Sequence, residues 1–214
     1  MRWTFLFPAV LALTPASWAQ VNAKGVFQAG FGVGLGVHAT HYEWESHAFG
    51  LAFTGSDNDA AVTVTWPIDV QMGLSDGFSL GLCLEPGRYL DSAGIHPNSL
   101  FLASLSPRWY AVNKDRFALY LHADLGTGFL TIGDVRNGVN RYDDRYAGGH
   151  FRLGAAVQWF FGDVFGVNLG VKYAFHKFHW KDREPDDPVL DLAGHSATLS
   201  TSGAVLQAGL QVRL

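Results

Sequence analysis

Residues 117–129 read FALYLHADLGTGF. Phe117, Leu119, Leu121, Ala123, Leu125, Thr127 and Phe129 occupy the odd positions, and Ala118, Tyr120, His122, Asp124, Gly126 and Gly128 the even ones. A period of two sends successive side chains to opposite faces of a strand. One face here is bulky and apolar, the other small or polar. Upstream, Val64, Trp66, Ile68, Val70 and Met72 alternate with Thr63, Thr65, Pro67, Asp69 and Gln71. The segment 26–42 does the same, with Phe27, Phe31, Val33, Leu35 and Val37 against Gln28, four glycines and His38.

Eight segments carry the pattern, near 26–42, 60–73, 78–89, 100–112, 117–130, 150–161, 165–179 and 201–214. The connections at 74–77, 113–116 and 162–164 are short and hold Asp, Asn or Gly, as hairpin turns do. Those near 43–59, 90–99, 131–149 and 180–200 are longer. The expected fold is all-β, an eight-stranded antiparallel up-and-down barrel. Its lumen has room for a limited set of side chains. The small and polar face therefore turns inward, and the bulky face meets lipid. A soluble barrel would need the reverse. No stretch after residue 19 is long and apolar enough for a membrane helix.

Composition narrows the function classes. The chain has 214 residues, 48% hydrophobic and 16% charged, with 15 Lys+Arg against 19 Asp+Glu and a net charge of −4. That hydrophobicity excludes a disordered chain. The absence of a basic excess argues against a nucleic-acid binder. The lone cysteine, Cys83, excludes an intrachain disulfide framework and is expected to point into the lumen. Residues 1–19, MRWTFLFPAVLALTPASWA, read as a signal peptide, with Arg2, an apolar run and small Ser17 and Ala19 before the cut. The barrel domain is then 20–214, beginning at Gln20.

Aromatic residues gather at strand ends. Phe78, Trp109, Phe117, Trp159, Phe161 and Phe165 lie beside the short turns, and Tyr42, Trp44, Phe101, Phe129, Phe151, Phe175 and Trp180 near the other ends. Two such girdles mark membrane interfaces. With these features the chain resembles the small eight-stranded outer-membrane barrels, the class of the outer-membrane protein A transmembrane domain. In that class an outward aromatic at the end of the last strand is read by the assembly machinery. Here Leu206, Ala208, Leu210, Val212 and Leu214 alternate outward, ending in Leu where Phe is usual. The resemblance implies a Gram-negative outer membrane, extracellular loops, and periplasmic short turns and termini. It also implies contact with outer-membrane lipid, lipopolysaccharide and the assembly machinery, as a monomer without cofactor.

The inward face holds the residues that could carry chemistry. Asp69, Glu85, Arg108, His122, Asp124, Arg152 and Lys172 are expected to form a lumen charge network, because charges in a narrow interior need partners. Counting from the short turns puts Glu85, Asp124 and Lys172 at similar heights, and Arg108 is expected between Glu85 and Asp124 because its strand separates theirs. Such a network plugs the barrel or, alternatively, forms a charged constriction. His38, His150 and His176 share the inward face near the loop end, as a solvated mouth, a pH-sensitive group or a metal site. No tight zinc spacing accompanies them. A lipid A-modifying enzyme would need a Ser, a His and an acid near the outer interface. His195 with Ser196, Ser200 and Ser202, and His179, are the candidates for that. The charged loops at 134–145 and 181–191 suit calcium or lipopolysaccharide phosphates. The expected role is a plugged, non-enzymatic structural or surface-interaction barrel. A narrow channel and a lipid A-modifying enzyme are the alternatives.

Overall fold

A computed structural model describes residues 20–48, 50–91, 98–137, 140–184 and 194–214. The proposed signal peptide, 1–19, lies outside them, as do His96 and much of the loop at 181–191. The strands are β1 (Phe27–Ala48), β2 (Leu51–Thr65), β3 (Ile68–Ser75), β4 (Phe78–Asp91), β5 (Asn98–Asn113), β6 (Phe117–Asn137), β7 (Asn140–Phe160), β8 (Phe165–Glu184) and β9 (Ser196–Arg213). β2 and β3 are one barrel strand interrupted at Trp66–Pro67, since both pair with β1 on one side and β4 on the other. Pro67 has no N–H for the ladder, while its carbonyl still accepts from Gly32 N at 2.9 Å. Eight antiparallel strands therefore close on themselves through β1 and β9.

Closure fixes a stagger. The row of cross-strand partners Phe31, Ile68, Leu84, Ala103, Thr127, Gly149, Lys177 and Ser200 returns to β1 at His41, ten residues further along. With strands ~4.8 Å apart and a rise of ~3.3 Å per residue, that offset tilts the strands by about 40°. A row of partners thus climbs as it circles the barrel.

The outside is apolar. Phe31, Leu35, Leu82, Leu121, Leu125, Leu169, Leu206 and Leu210 are each between 48% and 65% exposed. So much contiguous apolar surface is not stable against water and marks a bilayer-facing belt. Trp109, Trp159, Phe161 and Phe165 rim the belt at the short-turn end, and Phe101, Phe129, Phe151 and Phe175 at the long-hairpin end. Three residues expected in the second girdle are not there. Tyr42, Trp44 and Trp180 turn inward, because the period of two in β1 and β8 continues past the belt without changing phase.

Two of the expected long loops are strand. β1 and β2 stay paired out to Ala48 and Leu51, and β6 and β7 out to Asn137 and Asn140. Beyond the bilayer the outer face meets water, so the alternation of side chains fades while backbone pairing continues. Small inward residues let strands curve tightly there and within the belt. A Cβ on Gly126 would collide with the carbonyl oxygen of Ala103.

The chain ahead of β1 folds into the short-turn end. Val21 and Asn22 are fully buried. The Asn22 side-chain amide donates to Ser75 O at 2.7 Å and Asp76 O at 3.2 Å, and Asn113 Nδ2 donates to Asn22 O at 2.6 Å. Arg213 Nη1 donates to Gln20 O at 2.9 Å. Asn22→Ala is expected to lower stability by ~1–3 kcal/mol, the range for orphaning buried hydrogen-bonding groups. The urea midpoint in lipid vesicles measures it; an unchanged midpoint would mean the segment does not hold the turns together.

Candidate functional site

Inward side chains fill the barrel in layers. Nearest the short turns, Gln28, Gln71, Gln158 and Gln211 are fully buried with Tyr110, Tyr120 and Phe160. Gln158 Nε2 donates to Gln28 Oε1 at 3.1 Å across the lumen, between β7 and β1. Above them Arg108 on β5 pairs with Asp69 on β3 at 2.7 Å. Its guanidinium carbon lies 4.9 Å from the centre of the Tyr120 ring. Gln211 Nε2 completes this layer by donating to Asp69 Oδ1 at 3.3 Å.

The next layer is a four-charge cluster. Arg152 reaches from β7 to Glu85 on β4, with both contacts at 2.7 Å, and its Nη2 also lies 3.1 Å from Asp124 Oδ2. Lys172 Nζ on β8 contacts the same two carboxylates at 3.3 and 3.1 Å. Ser106 Oγ donates to Asp124 Oδ1 at 2.7 Å, and Cys83 Sγ to Glu85 Oε1 at 3.3 Å. Two acids and two bases leave the cluster without net charge, as burial of ions requires. His122 stands below, its Nδ1 3.6 Å from Asp124 Oδ1.

Arg108 therefore does not lie between Glu85 and Asp124. It shares a row of partners with His122, Gly154 and Lys172. That row climbs toward β8, so Arg108 sits at its low end, level with Asp69. Arg152 occupies the bridging place instead. Only the stagger decides which of two inward arginines meets which acids.

Over the cluster lie the three histidines. The His176 ring is 5.7 Å from His38 and 5.8 Å from His150, centre to centre, and stacks on Phe178 at 5.9 Å. His38 Nε2 is 2.9 Å from Thr63 Oγ1, and His176 Nδ1 is 2.9 Å from Thr201 Oγ1. Neither His150 nitrogen has a hydrogen-bond partner among the described residues. The rings do not line a solvated mouth, for all three are buried. An apolar layer covers them, built from Tyr89, Leu100, Leu102, Leu130, Tyr146, Phe178 and Leu199, with Tyr42, Trp44 and Trp180 packed against it. The lumen is thus polar through the belt and apolar beyond it. The signal for that apolar layer is present at Leu100–Leu102 and Phe129–Leu130, where both faces of the strand turn apolar and alternation is lost.

Among the described residues, no three His, Cys, Asp or Glu side chains converge on a metal-sized point. His41, His47, His179 and His195 lie beyond the apolar layer or on the outer wall. His41 Nε2 is 3.2 Å from Glu43, and the hydrogen bond to Asn58, with Glu43 beside it, raises its pKa. His47 Nε2 is 3.1 Å from Glu45. His195 Nδ1 is 2.7 Å from Ser46 Oγ rather than from Ser196, Ser200 or Ser202, and burial lowers its pKa. Among the described residues, no carboxylate bonds the other His195 nitrogen.

One void within the barrel interior, about 10 Å³, is bordered by Asp69, Arg108, His122 and Lys172. A water needs roughly that much room.

An apolar belt outside, ion pairs inside and eight staggered antiparallel strands define a small transmembrane β-barrel of the outer-membrane type. Two solved structures share the architecture. The outer membrane protein OprG from Pseudomonas aeruginosa superposes with a TM-score of 0.57 at 11% identity, over 90% of this chain and 97% of that one. The outer membrane protein AlkL, solved in DMPC lipid bilayers, gives 0.51 at 15% identity, over 94% of this chain and 95% of that one. At such identities the likeness is one of fold. No protein-family model and no curated protein sequence matches the chain.

Proposed function

We propose that this chain is a closed barrel of the bacterial outer membrane, with a structural or surface-interaction role and no enzymatic activity. Its long hairpins face outside the cell, and its short turns and both ends face the periplasm. The observation that carries this reading is the cluster of Arg152, Lys172, Glu85 and Asp124, whose ion pairs join β4, β6, β7 and β8 across the lumen. The apolar layer at one end and the tucked residues 20–22 at the other support it. The paired hairpins that stand beyond the belt are the surface left for a partner, and lipid with lipopolysaccharide is the surrounding contact.

Planar-bilayer recording on the refolded mature chain tests this reading. The expected trace shows no steady conductance above the protein-free membrane. A reproducible open level would overturn the plug and favour the narrow channel. Refolding should also shift the band between unheated and boiled gel samples, and recovery as a soluble monomer without detergent would sink the membrane assignment. Mass spectrometry of lipid A from cells with and without the protein is expected to show no difference, and a changed acyl pattern would favour the enzyme.

A further inference from the structure

One groove on the lipid-facing wall differs from the rest of the belt. Ile68, Val70, Leu82, Leu84, Leu105 and Leu125 bound an apolar depression of about 620 Å³, within the ~300–1,000 Å³ usual for small-molecule sites. It exists because Ala103 and Thr127, neighbours on one row of partners, are short. The row continues through Gly149, which has no side chain to stand over the wall and where a Cβ would meet nothing nearer than Gly126 O at 3.7 Å. Outward Phe129 and Phe151 stand on either side of that stretch.

The next residue on the row is Lys177. The stagger has by then raised the row to the long-hairpin rim, just beyond Phe175. Lys177, His179 and Lys181 follow one another on the outer face of β8, roughly 7 Å apart. Both lysines are exposed, and neither has an ion pair among the described residues. Ser200 stands opposite Lys177, and His179 Nδ1 is 3.2 Å from Thr198 Oγ1. The neighbouring Arg145 is already paired with Glu184. An apolar groove on the belt thus lies on the row that climbs past the bare Gly149 to Lys177, which has no ion pair among the described residues.

We infer that this wall holds a phosphorylated glycolipid of the outer leaflet, of the lipid A kind. One phosphate sits on Lys177 with His179 and Ser200 beside it, and one acyl chain lies over Gly149, Thr127 and Ala103. The lysine ammonium is a compact point charge suited to phosphate. In a bilayer the groove offers no hydrophobic gain over surrounding lipid, so shape and the phosphate contact must select the occupant. The choice of outer leaflet rests on the orientation proposed above, with the long hairpins outside.

Native mass spectrometry of the mature protein in detergent, offered bisphosphorylated hexa-acyl lipid A, dephosphorylated lipid A or phosphatidylglycerol, tests the site. Bisphosphorylated lipid A should be retained best. Lys177→Gln should lower its retention about fivefold, as loss of one membrane-surface lysine contact does. Gly149→Leu, which fills the depression with an apolar side chain, should lower it as much, while Lys24→Gln at the opposite end changes nothing. Both groove variants keep a lipid-compatible outer face, and the unheated gel band shows that they fold. Equal retention of dephosphorylated lipid A or phosphatidylglycerol, or no effect of Lys177→Gln, overturns the site. Protease shaving of intact cells reads the orientation separately: cleaved hairpins support it, and protected ones overturn the lipid A assignment while leaving the plugged lumen standing.

Discussion

Arg152→Ala is expected to destabilise the barrel by ~3–5 kcal/mol, the range for breaking a buried ion pair by removing one partner. Arg152 is 2% exposed and touches both Glu85 and Asp124. A guanidinium presents five donors in a rigid fork and stays protonated, so one side chain can serve two carboxylates. Without it, Lys172 alone faces two buried acids. Changing Arg152, Lys172, Glu85 and Asp124 together to neutral residues of similar volume should cost less than Arg152→Ala alone, because no orphan charge remains. Arg108→Ala leaves a single orphan, Asp69, which Gln211 still contacts, and should cost less than Arg152→Ala. Urea titration in lipid vesicles ranks the three variants. If Arg152→Ala unfolds with the wild type, the cluster is solvated. The same variant should raise bilayer conductance, since the cluster fills the lumen at mid-belt.

Leu121→Arg tests the other side of the wall. Leu121 is 48% exposed and lies on a row with Trp109, Ala155, Val171, Leu206 and Leu35, apolar throughout. That row climbs from the short-turn rim at Trp109 into the belt, and Leu121 lies on it between the two aromatic rims, where a lipid-facing arginine costs up to ~2–4 kcal/mol at mid-depth. His122, one residue on, points inward, with its Nδ1 3.6 Å from Asp124. His122→Arg places its charge beside a carboxylate and escapes the lipid term, although the longer side chain must fit against Gly154 and Tyr120. Reversible unfolding in vesicles should therefore separate the neighbours. A Leu121→Arg variant as stable as wild type would place that face away from lipid.

Much of this molecule is readable along the chain, because lipid imposes a local rule. Each outward position must be apolar and each inward position small, polar or paired, so the period of two at 117–129 reveals the strand, its phase and its lipid-facing side together. Class, strand number and the inward placement of Asp69, Glu85, Arg108, His122, Asp124, Arg152 and Lys172 follow from that rule alone. Three features do not, since each depends on parts of the chain far apart in sequence. The partners in the lumen depend on the ten-residue stagger at closure, which lowers Arg108 to Asp69 and lifts Arg152 between Glu85 and Asp124. The apolar layer over His38, His150 and His176 assembles from residues of β4 to β9, far apart in sequence, and at Leu100–Leu102 and Phe129–Leu130 both faces of the strand are apolar. The hairpin arms at 43–48 and 51–59, and at 132–137 and 140–146, lie beyond the bilayer, where no lipid dictates side-chain alternation, and only backbone pairing shows that they are strand.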